Sequence, residues 1–222
     1  MAVLRDGRLS VLTFCGLMAS CAASPPAAST APSEPSLSSA SFADGQEPLP
    51  RYRSKRLALS LPLPQGRSWR IDDHSRPELI AVHPATHSRV LVAIVRADDL
   101  VGRKQCEELA LARKLVPESP VQILDEEVAV TQGTFDTRIR VTLRPSEDER
   151  GPLEGHVTAF GGFLRKCYIF DFSTEVARAA EEPTLSSRLA FARARILGGL
   201  ELDSFTTISR ARPGRRDAAP SP

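Results

Sequence analysis

Lysine is scarce in this sequence: 4 of the 29 basic residues, against 25 Arg. Such a ratio reflects coding bias more than selection for guanidinium chemistry, so no single Arg carries much weight. Net charge is also small, +2 over 222 residues, which gives no general reason to expect nucleic acid. Beyond the N-terminus there is no apolar run approaching the ~20 residues of a membrane-spanning helix. Catalytic signatures are missing too: no G-x-S-x-G elbow, no phosphate-binding Walker loop, no Rossmann glycine series and no HExxH metal helix. What remains is 41% hydrophobic and 25% charged, the composition of a chain that folds.

The N-terminus reads as an address. Arg5 and Arg8 form a basic segment, Leu9 to Met18 a short apolar one, and Ala19 and Ser20 are small. These are the three parts of an export signal over residues 1–20. Leu17-Met18-Ala19-Ser20-Cys21 resembles the lipobox of bacterial lipoproteins, with Met18 where Leu is usual. The resemblance implies that Cys21 is acylated and becomes the mature N-terminus, anchoring the chain to a membrane through lipid. Ala22 after the Cys implies the outer membrane, facing the periplasm or the cell surface. An ordinary cleaved signal with an incidental Cys is the alternative.

Residues 21–50 are expected to be the acylated Cys and a disordered tether. Ala22 to Pro50 holds 7 Ala, 7 Ser and 6 Pro and no basic residue, too little to offset its ordering entropy. The basic tail at 210–222, with Arg210, Arg212, Arg215 and Arg216, is expected to be disordered as well. Between them, 51–209 carries 23 basic and 22 acidic residues, and is one domain large enough for a real core.

Within that domain, period-two alternation predicts strands. Leu57, Leu59, Leu61 and Leu63 alternate. Segments 79–83 and 89–96 flank the turn-like Pro84 to Ser88. Residues 121–131 read as extended. Phe135, Thr137, Ile139, Val141 and Leu143 share one face of the next strand, and Asp136, Arg138, Arg140, Thr142 and Arg144 the other. Segments 156–160 and 163–173 read as a hairpin turning at Gly161-Gly162. Two helices are predicted. The first covers 102–116, capped by Asp98 or Asp99, and the second covers 184–197, stopped by Gly198-Gly199. The expected fold is α+β: a mostly antiparallel sheet with two main helices packed against it.

Leu61-Pro62 followed by Gly66 and Trp69, with the strand from Gly162-Phe163-Leu164 to Phe172 and the helix ending at Ile196-Leu197, resembles the PsbP-like and DcrB-like α/β sandwich families. The resemblance covers most of 51–209 and implies a binding or assembly module; it brings no catalytic motif and no cofactor.

After export, Cys106 and Cys167 remain as an even pair in an oxidising compartment. One lies on the inner stripe of the first helix and the other in a late strand, so a disulfide is expected, with two buried thiols as the alternative. His83 and His87 have i,i+4 spacing, but Pro84 between them argues against a helical metal pair, and no metal is expected. Asp72, His74, His83 and His156 are the residues from which a dispersed hydrolase site would have to be built. Arg138, Arg140 and Arg144 form the candidate binding surface for phosphate or carboxylate groups, unless neighbouring acidic side chains neutralise them. The function expected is a membrane-anchored envelope lipoprotein acting as a non-catalytic binding or assembly module, its partner an envelope protein or polymer and not nucleic acid. An envelope hydrolase is the alternative.

Overall fold

The alternating leucines at the start of the domain form strand β2 (Leu59–Pro62), with Leu59 and Leu61 fully buried. It lies between β1 (Arg51–Ser54) and β10 (Glu201–Leu202) in a small antiparallel sheet. The flanking strands are too short to carry a periodic signal, and neither was expected from the sequence. The computed structural model describes Phe42 and residues 48–118, 122–131, 135–144 and 151–203. The expected signal at 1–20, Cys21 and the tail at 210–222 lie outside the described residues.

A second, seven-stranded antiparallel sheet forms the body of the domain, in the order β3-β4-β5-β9-β8-β7-β6. Its strands are β3 (Arg70–Asp72), β4 (Leu79–His83), β5 (Ser88–Arg96), β6 (Gln122–Thr131), β7 (Phe135–Arg144), β8 (Leu153–Phe163) and β9 (Lys166–Val176). The β4–β5 hairpin turns through Pro84–Thr86 as expected, with Pro84 opening a 3-10 turn. The β8–β9 hairpin does not turn at the glycine pair. Gly161 and Gly162 continue β8, and the chain reverses at Leu164 and Arg165, where Leu164 takes a φ of 54°. Gly162 serves a close approach instead: a Cβ there would sit 2.4 Å from the Val101 carbonyl oxygen and 2.8 Å from Gly102 Cα.

Helix α1 (Arg103–Ala112) is shorter than expected and is not capped by Asp98 or Asp99. Its N-cap is Gly102, whose N–H donates to Gln105 Oε1 at 3.0 Å. Lys114, at φ 55°, breaks the helical path, and Leu115 and Val116 are buried beyond it. Helix α2 (Glu182–Phe191) begins earlier than expected because Pro183 fits its first turn. It continues into a π-helical turn over Ala192–Leu197, closed by a Gly198 N–H to Arg193 O bond of 3.1 Å.

Both faces of the large sheet are covered, because β5 and β9 are apolar at both parities. Leu91, Ala93, Phe160 and Ile169 pack against α1. Val92, Val157, Phe170 and Phe172 pack on the other side, against α2 and the leucines of β2. A Cys106–Cys167 disulfide, Cα–Cα 5.2 Å, fastens α1 to β9. It closes a loop of 61 residues, which the chain-entropy argument values at about 4 kcal/mol.

The composition-based edge of the tether at residue 50 does not match the packing. Phe42 is 2% exposed, with its ring 5.3 Å from that of Phe191, 5.7 Å from His83 and 6.3 Å from Trp69. Leu49 packs on the same core, and Pro50 O accepts the Leu63 N–H at 2.9 Å. One aromatic in an Ala/Ser/Pro segment is enough to enter a core, though it scarcely alters the average composition.

Candidate functional site

The π-helical turn and the segment after it do not close flat onto the sheet. Between them and β7, β8 and β9 lies a cavity of about 510 Å3. Its floor is Val92, Ile139, Ala159, Gly161 and Phe170, and its roof is Ala194, Leu197, Leu200 and Leu202. Four polar side chains complete the lining: Thr137, Tyr168, Glu127 and Arg193. The Arg193 guanidinium pairs with Asp125 and, at 2.8 Å, with Glu127 Oε1. Those two carboxylates, Glu127 above all, raise its already high pKa, so a fixed charge stands beside an apolar hollow. Wide turns of this kind recur at functional sites because they displace a helix from its regular line. Here the turn carries both Arg193 and Leu197 to the cavity. Nothing in the sequence singled out these residues: a π turn has no compositional signature, and a cavity arises from elements far apart in the chain.

The arginine row expected to bind ligands is engaged within the fold. Arg138 Nη1 reaches Glu107 of α1 at 2.8 Å, and Arg140 pairs with the same carboxylate and, at 2.6 Å, with Glu126 of β6. Arg144 stands 3.6 Å from Glu154. The alternative of neutralising acidic neighbours describes this face, and α1 lies over part of it. Two of the partners, Glu107 and Glu126, were not identified from the sequence, because they come from separate elements.

The four residues of the hydrolase alternative do not converge. His83 and His156 project from opposite faces of the large sheet, following the register of β4 against β5 and of β8 against β9. His83 is buried between Thr86 Oγ1 at 2.8 Å and Gln65 Oε1 at 3.1 Å, while His87 is exposed, so the pair does not share a site. Asp72 caps its own turn, accepting from the N–H groups of His74 and Ser75 and from the Ser75 hydroxyl. That holds its carboxyl down at about 2, the Ser75 side chain contributing most. His156 stands 3.1 Å from Asp171 Oδ1 and 3.2 Å from Glu154 Oε1. Burial alone would lower its pKa, but the two carboxylates override it and push it up to about 9. Among the described residues, no cluster of His, Cys, Asp and Glu is arranged to hold a metal ion, and no helix is long and apolar enough to cross a membrane.

No family model matches the chain, and no curated protein does. Its fold has solved counterparts. It is similar to the Ran-binding protein Mog1p of Saccharomyces cerevisiae, at TM-score 0.51 and 10% identity over 70% of this chain and 97% of that one. The cyanobacterial PsbP protein of Synechocystis sp. PCC 6803 gives TM-score 0.45 and 14% identity over 72% and 95%. A protein from Bacteroides thetaiotaomicron VPI-5482 gives TM-score 0.42 and 13% identity over 70% of this chain, which spans about half of that one, 49%. At these identities the likeness to Mog1p shows the fold alone, an antiparallel sheet with helices on it, and a fold does not by itself carry a function.

Proposed function

We propose that the chain is an envelope lipoprotein, held at the outer membrane through acylated Cys21, whose α+β domain is a non-catalytic binding module. The cavity beneath the π-helical turn is its recognition site. The observation that carries this reading is the cavity itself: about 510 Å3, mostly apolar, with a few polar side chains in its lining. Small-molecule and side-chain pockets have this size and lining. It suits an apolar group, such as an acyl chain, a ring or a buried side chain of an envelope partner, with a polar end beside Arg193.

The state of His156 weighs against the hydrolase reading. An imidazole whose pKa stands near 9 already carries its second proton at neutral pH and cannot take one from a nucleophile. The scattering of Asp72, His74, His83 and His156 weighs the same way.

Two arms of one experiment test the proposal. The neutral apolar dye N-phenyl-1-naphthylamine should brighten on binding the chain, and Ala194→Phe, which fills the cavity from its exposed roof, should abolish the signal without loss of stability. An unchanged signal would remove the cavity from the account. Independently, Cys21→Ala should move the chain from the membrane to the soluble fraction; a chain that stays with membranes is not held by lipid on Cys21.

A further inference from the structure

One end of the large sheet has the chemistry of a lipid surface. There the β8–β9 turn and the loop leading into α1 are joined by two backbone hydrogen bonds, Val101 N–H to Leu164 O and Ala97 N–H to Arg165 O, each 2.9 Å. Two leucines stand out from this joined tip, Leu100 at 72% exposed and Leu164 at 63%. Phe163 lies with both along the same shallow grooves. An exposed Leu is unremarkable by itself, but two on adjoining turns form one apolar point.

Four exposed cations surround it: Arg96, Lys104, Arg165 and Lys166. None has an ion-pair partner among the described residues, although Asp98 and Asp99 are close by in sequence. Elsewhere the described arginines are widely paired, Arg51, Arg53, Arg56, Arg138, Arg140 and Arg193 among them. Arg96 and Lys166 are moreover direct cross-strand partners in the β5–β9 register. Like charges in that relation destabilise a sheet, unless an external anion lies against them.

We propose that this tip, Leu100 and Leu164 ringed by Arg96, Lys104, Arg165 and Lys166, docks on an anionic phospholipid bilayer. Leucines enter the boundary between headgroups and acyl chains while the cations meet phosphate, as interfacial segments do. The inference rests on the reading of the chain as membrane-tethered. It adds that the domain lies against the bilayer in one orientation.

A local reporter separates docking from anchoring. In the full chain, Leu164→Trp places an indole at the tip, while the native Trp69 is buried at 5% exposure and supplies a constant background. With vesicles of brominated phosphatidylglycerol and phosphatidylcholine, the indole at 164 should be quenched. Adding Arg165→Glu and Lys166→Glu removes two favourable cations, worth about 1 kcal/mol each, and should shift docking by roughly 30-fold or more, restoring the emission. An indole that stays bright on vesicles to which the chain is bound overturns the tip proposal and leaves the anchor standing. Equal quenching after charge reversal also overturns it. So does a bright indole accompanied by crosslinking of the tip to an acidic protein that charge reversal abolishes, because the occupant is then protein. Fractionation of Cys21→Ala in the background of Arg165→Glu and Lys166→Glu, where the tip no longer docks, reports on the anchor alone.

Discussion

His156 shows how one side chain ties stability to pH. Its imidazole is buried between Asp171 and Glu154, and the two carboxylates lift its pKa from 6.5 to about 9. Because the folded value lies above the unfolded one, the stabilisation is fully present below about pH 6.5 and is lost as pH rises through 9. A shift of this size corresponds to roughly 3 kcal/mol at the acid side. His156→Gln should therefore lower stability at pH 6 by about 3 kcal/mol, since Asp171 is left buried without its cation. At pH 10 the same change should cost much less. Urea denaturation at the two values checks this; an equal loss at both would mean that the imidazole is not held charged. The sequence offered His156 as one of four residues for a dispersed hydrolase site, and gave no sign of its carboxylate partners. Its partners sit one strand away or two residues along the same strand, and neither relation stands out without the register.

At the level of elements, alternation was a sound guide where a strand has one apolar face or a clear partner. The β4–β5 hairpin, β7 and the two helices lie close to where the spacing puts them. Turns were less legible, because glycine answers to two demands. Gly161-Gly162 reads as a reversal, yet the strand runs on and the reversal falls at Leu164. Gly162 is small because the Val101–Gly102 segment crosses it, and close approach between distant segments leaves no local mark. Gly162→Ala should accordingly cost about 2 kcal/mol through overpacking, seen as a lower denaturation midpoint, and should loosen the start of α1. Faster amide exchange over the first turn of α1 would show the coupling; exchange unchanged against a wild-type control would deny it. The cavity belongs to the same class. Ala194 and Leu197 lie off the apolar stripe that Leu185, Leu189, Ala192 and Ile196 keep, and they line a hollow whose floor comes from distant strands.

For the whole molecule, the question is where the folded domain begins. Composition puts the boundary at residue 50, yet Phe42 is buried in the same core as the strands. The difference is measurable. A chain beginning at Arg51 lacks Phe42 and Leu49, and so leaves an opening among Trp69, His83, Phe172 and Phe191. Losing a buried Phe costs about 3 to 5 kcal/mol, so the chain from Arg51 should unfold at markedly lower urea than one from Pro35. Phe42→Ala in the longer chain should account for most of that difference. If the two lengths unfold together, Phe42 contributes nothing to the core.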